Sequence, residues 1–312
     1  MLIHTASYYL WKIPNLVTLK SWKGDGLMEK LQVGRATLTW LKGGVNFLDG
    51  GAMFGVVPKA LWGKKYPHNE KNQIELRTDP ILLQVDGKNL LIESGIGKDK
   101  FTDKQIRNFG VREESFLEET LAELDLTVDD IDALLMTHLH FDHASGLTKK
   151  IAEEVYEPVF KNATIYTTAI EWNEMRNPNI RSVNTYWESN WQPVEEQVET
   201  FAEEIEIVKG LKMVYTGGHS DGHAIIIFEE ADDCFIHMAD LMPTHAHQNK
   251  LWALAYDDYP VTSVHEKESW MDYGYKRRAW YTFYHDAYYR AIKFNQNGEK
   301  VDELERVRYE YE

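Results

Sequence analysis

Within Thr137-His138-Leu139-His140-Phe141-Asp142-His143-Ala144-Ser145-Gly146, six consecutive residues carry three imidazoles and a carboxylate. The apolar run Ala133-Leu134-Leu135-Met136 ahead of them predicts a short buried strand, so the chemistry falls on a loop where a strand ends. Alternate residues of an extended segment share a face, which lets His138 and His140 address one ion while Leu139 turns into the core. The chain must turn after Phe141, and that aims Asp142 and His143 at a neighbouring position, suited to a second ion. Imidazole favours zinc, iron, copper or nickel, and the added carboxylate argues against calcium or magnesium alone. A single His-x-His arises by accident; three histidines and an aspartate between a buried strand and a Gly turn point to a metal site.

The elements that must hold such a loop are visible on both sides of it. Ala36 to Leu41 and Val45 to Leu48 read as strands, and Pro80 to Val85 with Asn89 to Ile92 reads as a hairpin closed by Asp86-Gly87. Residues 115–125 place Phe116, Leu117, Leu121 and Leu124 on one helical face, with Ser115 as N-cap. Leu147 to Val155 reads as a short helix and Ala163 to Thr167 as a strand, while residues 168–205 read as helices and loops over the site. Asp49 to Pro58 reads as a Gly-rich loop. Its Met53 and Phe54, with Trp62 and Trp172, are candidates to line an apolar substrate pocket.

Three further strand ends carry ligand-type residues. Met213-Val214-Tyr215 runs into Thr216-Gly217-Gly218-His219, which makes His219 the third ligand of the first ion, and His223 a hydrogen-bond partner behind the ligands. Phe235 to Asp240 ends in a carboxylate that can give one oxygen to each of two cations, so Asp240 is the candidate bridge. Trp280 to Asp286 contains His285, which completes the second position. His4, His68, His237 and His265 read as ordinary surface or packed residues, and His245 and His247 stay ambiguous.

Composition narrows the partners. The 312 residues are 43% hydrophobic and 27% charged, the balance of a globular protein, and no linker divides them, so residues 1–312 read as one domain with an aromatic N-terminal arm over 1–35. A formal charge of -16 repels polyanions and disfavours nucleic acid. Cys234 is the lone cysteine, which excludes an intrachain disulfide and cysteine-based zinc frameworks, and it reads as a packed hydrophobe. The first residues do not resemble a signal peptide and no apolar run reaches about eighteen residues, so a cytoplasmic location with no membrane span is expected. The arm makes a homodimer an open option.

The ordered series His138-x-His140-x-Asp142-His143, His219, Asp240, His285 resembles the metallo-β-lactamase superfamily in its dinuclear hydrolase form, over about residues 35–290. That resemblance implies an α+β fold, an αββα four-layer sandwich, with two zinc ions along one edge of the sheets. The segments Asp49 to Lys59 and Ala239 to Thr244 look like those of YtnP-like quorum-quenching lactonases, with the methyl parathion hydrolase group also similar. The implied reaction is opening of the lactone ring of N-acyl-homoserine lactones by a hydroxide between the metals, with Asp142 passing a proton and Asp240 bridging. The alternative is hydrolysis of phosphotriesters or of aryl and carboxyl esters at the same centre. Two departures stand out: Pro243 occupies the position of a tyrosine in the best-known homoserine lactonases, and Glu93 replaces a common aspartate. Diiron members place a glutamate where this chain has His140, which disfavours redox chemistry.

Overall fold

Alternation along the strands sorts their side chains onto two faces, and both faces are buried. In the computed structural model, which describes residues 28–307, Ile81, Leu83 and Val85 point into one core while Leu82 points into another, and Leu90 and Ile92 are separated from Leu91 in the same way. This is why these strands read as continuous apolar runs. The first core also takes Leu211, Met213, Ile226, Phe228 and Phe235, so it is the space between two sheets.

Each sheet has seven strands. The first runs, edge to edge, Lys30–Val33, Ala36–Trp40, Ile81–Val85, Lys88–Ile92, Ala133–Leu135, Thr164–Thr168 and Val198–Phe201. Its first four strands pair antiparallel and its last four are parallel. The second runs Glu204–Val208, Leu211–Tyr215, Ala224–Glu230, Asp233–His237, Trp280–Thr282, Tyr289–Phe294 and Lys300–Glu305. Only the Asp233–His237 and Trp280–Thr282 pair is parallel there.

Helices close the outer faces. Leu117–Ala122 and Ala169–Arg176 supply Leu117, Leu121 and Met175 to the core outside the first sheet. Pro260–Arg277 lays Met271 against Ile225, Ile236 and Tyr281 outside the second. The order helix, sheet, sheet, helix is the four-layer α+β sandwich expected from the resemblance. No helix among the described residues is long and apolar enough to cross a membrane. Cys234 is buried in the outer core of the second sheet, as expected.

Several local expectations need correction. Leu147, Ile151 and Val155 have helical spacing, yet Thr148–Ala152 and Val155–Pro158 form a hairpin in which Ile151 and Val155 face solvent, so no core rewards a helix there. Ser115 does not sit at the N-cap, which is Phe116, although its hydroxyl accepts from the Leu117 N–H. Asp49 to Pro58 is no open loop: Gly50–Phe54 is a helix whose first turn is capped by the Asp49 carboxylate, accepting from Ala52 N–H at 2.9 Å. The first 27 residues of the N-terminal arm, and the dimer contact considered for it, lie outside the described residues.

Candidate metal centre

The parallel pairing of Lys88–Ile92 with Ala133–Leu135 sends both strands out of the sheet at the same end. Glu93 and the His138 to His143 segment therefore emerge side by side, and Ser94 N–H and Oγ both donate to the His143 carbonyl, at 3.0 and 2.6 Å. The second sheet reaches the same edge, where Ala224 N–H donates to the Thr137 carbonyl at 2.8 Å. His219 follows Tyr215 by a four-residue step, and Asp240 and His285 each lie three residues beyond their strands, Asp240 in a single 3₁₀ turn.

All seven sequence candidates meet there. His140 Nδ1 stands 3.1 Å from His219 Nε2, and His143 Nε2 stands 3.0 Å from His285 Nε2. Between these pairs lies Asp240: Oδ2 is 3.2 Å from His219 Nε2 and 3.9 Å from His138 Nε2, while Oδ1 is 3.2 Å from His285 Nε2 and 3.6 Å from His143 Nε2. Asp142 Oδ2 approaches His285 Nε2 at 3.7 Å. Donor atoms of His138, His140 and His219 lie within 4.8 Å of one another, as do those of Asp142, His143 and His285.

Neighbouring groups decide which nitrogen each ring presents. The Thr137 hydroxyl spends its one proton on Glu93, so His138 Nδ1–H must donate to Thr137 Oγ1, at 3.1 Å, and Nε2 is left with its lone pair. His219 Nδ1–H donates to Asp257 Oδ1 at 2.9 Å, and His285 Nδ1–H to the Arg77 carbonyl at 2.7 Å. In both, Nε2 is again the free base. Glu93 Oε1 lies 3.4 Å from His143 Nδ1, the nitrogen remote from Asp240; although Glu93, His138 and His143 also form a compact trio, Glu93 orients His143 from behind.

The donor set fits two cations. Ring nitrogens of His138, His140 and His219 converge beside one oxygen of Asp240, and those of His143 and His285 beside the other, with Asp142 near the latter. His138 Nε2 and Asp240 Oδ1 are buried with no hydrogen-bond partner, a costly arrangement that coordination would relieve. Burial, reinforced by His143 and His140, pushes the His138 ring far below its usual range. Burial and His219 do the same to His140, so both rings are neutral and ready to ligate. At His143 burial is outweighed by Glu93, Asp240 and Asp142, which hold the ring well above its usual range. At Asp240 burial is outweighed by His285, His219 and His143, which keep the carboxyl well below its own.

The remaining sequence candidates fall elsewhere. Phe54 is sandwiched between Trp62 at 4.9 Å and His247 at 4.5 Å, and with Met53 it belongs to a buried satellite core containing Tyr66, Ile74 and Leu254. Neither has a face left for a substrate. Trp172 packs edge-on to Trp191 under the Arg176 guanidinium, against the outer helical core. The aromatic cluster next to the ligands is instead built on the buried Phe141, stacked on Trp187 at 5.1 Å and close to Phe109 at 4.1 Å, both of them half-buried. His223 pairs with Thr216 Oγ1 at 2.9 Å and hydrogen-bonds no ligand, contrary to the supporting role expected of it. His247 joins Thr244 to the Met53 carbonyl, and His245 pairs with Asp286, so neither enters the centre. Sequence reasoning missed Asp257, which lies in the run Tyr256-Asp257-Asp258-Tyr259 where nothing separates one acid from the other.

The family model described as Metallo-beta-lactamase superfamily matches residues 75–236. A crystal structure of a probable metal-dependent hydrolase from Staphylococcus aureus is 46% identical, covering 89% of this chain and 100% of that one, with a TM-score of 0.86. The structure of AidC, described as a dizinc quorum-quenching lactonase, is 15% identical, covers 90% of this chain and 98% of its own, and has a TM-score of 0.72, a likeness of fold. An N-acyl homoserine lactonase of Bacillus thuringiensis is 26% identical over 157 residues, 50% of this chain and 56% of that protein. The chain spans about half the length of the curated relatives it matches.

Proposed function

Taking as premise that this chain belongs to the metallo-beta-lactamase superfamily and is a metal-dependent hydrolase, we propose that it holds two zinc ions and opens the lactone ring of N-acyl-homoserine lactones. The observation that carries the reading is Asp240, whose two oxygens each face a different histidine cluster at 3.2 Å. A mononuclear site would need only one of them.

In this reading His138, His140 and His219 hold the first ion, Asp142, His143 and His285 the second, and Asp240 both. Bound zinc supplies an activated water at neutral pH and polarises the carbonyl to be attacked. The protein's own residues do the rest. The imidazoles are buried, whereas the Asp142 side chain keeps 13% of its surface open, which makes it the group able to hand a proton to the departing alkoxide. Ring opening adds water across one ester C–O bond and leaves acid and alcohol in a single product. Half-buried Trp187 and Phe109, packed on the buried Phe141 ring beside Asp142, offer an apolar surface for the acyl chain.

Zinc content per chain, measured together with rates on acyl-homoserine lactones, a phosphotriester and an aryl ester, tests the proposal. Two zinc ions with lactone opening fastest is the expected result. Two zinc ions with a faster phosphotriester or aryl-ester rate would reassign the substrate, and fewer than two would remove the dinuclear centre. Asp240→Asn should lower turnover by at least about 100-fold, the scale of losing a group that acts on the reacting atoms.

A further inference from the structure

Glu171 lies on Ala169–Arg176, a helix of the outer layer, yet its buried carboxylate joins three segments around the first histidine cluster. Oε1 accepts from the Leu139 N–H at 2.7 Å, and Leu139 is the residue between His138 and His140. Oε2 accepts from Ser220 Oγ at 2.6 Å, and Ser220 follows His219. Oε1 also accepts from Tyr186 Oη at 3.0 Å, and the Tyr186 ring packs 5.1 Å from that of His140. One side chain thus ties the residue between two ligands, the residue after the third, and the wall behind His140.

The rest of the helix start reinforces this contact. Thr168 Oγ1 accepts from Glu171 N–H at 2.9 Å and donates to the Gly222 carbonyl at 2.6 Å, closing the loop that carries His219 onto the helix. A Cβ on Gly222 would fall 2.0 Å from Glu171 N, so only glycine permits the approach. No comparable carboxylate bond reaches the second cluster from this helix. There the backbone is held by Tyr284, whose hydroxyl donates to the Asp142 carbonyl at 2.5 Å and whose ring stacks on His143 at 4.6 Å.

We propose that Glu171 is a positioning residue for the first metal position alone, fixing the spacing of His138, His140 and His219 while leaving the His143 and His285 position independent of it. The inference rests on the dinuclear reading above, and its test separates the two. Zinc binding to the full chain is titrated against a chromogenic chelator, with His219→Ala and His285→Ala identifying which step belongs to which position. Glu171→Leu removes both acceptor oxygens, and with them all three bonds, and leaves the buried Leu139 N–H unpaired. The first step should weaken by about 10- to 100-fold, the range for residues supporting metal ligands, with the second within about twofold of wild type.

Glu171→Gln is the conservative rescue. Its one oxygen keeps Leu139 and Tyr186, and the Ser220 hydroxyl can turn to accept from the amide, so the first step should return to within about threefold of wild type. Equal weakening of both steps, or of neither, would overturn the proposal. Should Glu171→Leu not fold, Ser220→Ala removes one bond of the three. It must still weaken the first step selectively, and an unchanged first step refutes the assignment. A wild-type chain that binds fewer than two zinc ions would instead remove the reading on which the inference stands.

Discussion

Replacing Asp257 by Asn gives the sharpest check on how the first position is built. The carboxylate uses both oxygens: Oδ1 accepts from His219 Nδ1–H at 2.9 Å and Oδ2 from Leu254 N–H at 3.2 Å, and both side chains are buried. Asparagine has one acceptor for these two donors. If its oxygen turns to Leu254, the amide N–H faces His219 Nδ1, the ring moves its proton to Nε2, and the lone pair aimed at Asp240 is lost. If the oxygen turns to His219, the Leu254 N–H is stranded, at about 1–3 kcal/mol of stability. Either way the charge that makes the ring a better base is gone. Losing such a partner typically costs 10- to 100-fold in metal affinity, which at about 1.4 kcal/mol per decade is roughly 1.4–2.8 kcal/mol. The assay is zinc titration against a chelator, paired with thermal melting of the metal-free sample. A first binding step within twofold of wild type, with an unaltered melting temperature, would refute the argument.

Two other outcomes follow from the same geometry. Phe54→Ala empties the space between Trp62 and His247 and should destabilise the fold by about 3–5 kcal/mol with little change in KM across acyl lengths; a stable variant whose KM climbs with chain length would return Phe54 to the substrate pocket. Because Glu93, Asp240 and Asp142 overcome burial and keep His143 protonated at neutral pH, zinc must displace its proton. Affinity should therefore strengthen as pH rises toward the raised pKa and level off above it. Calorimetry at pH 7 in buffers of different protonation enthalpy should show at least about one proton released per chain, and none released would contradict the placement of those carboxylates.

Much of this was legible in the chain because ligand and strand signals coincide. The apolar run ahead of His138 is readable since burial on both faces leaves no polar residue to blur the strand. The residues that failed were those whose role is set by distant contacts. Phe54 and Met53 lie beside glycines, the usual mark of an open loop, but Trp62, His247 and Leu254 cover them from later in the chain. Leu147, Ile151 and Val155 have the period of a helix and no surface to bury it against. Asp257 and Glu171 resemble any other acid in a chain with 50 of them, and only the fold brings the one to His219 and the other to Leu139 and Ser220.

In the dinuclear reading proposed above, the carboxylates around the histidines would let a centre for four positive charges assemble before any cation arrives. Asp240 and Asp142 face the converging nitrogens directly, while Glu93 and Asp257 sit behind His143 and His219. In the protein alone, these acids raise the pKa of both His143 and His219 against the pull of burial, most strongly at His143, where a ring proton balances part of the negative charge. His138 and His140, which burial keeps neutral, need no such balance. Metal binding would then replace that proton with a cation facing the same acids, with no movement of the strand ends required.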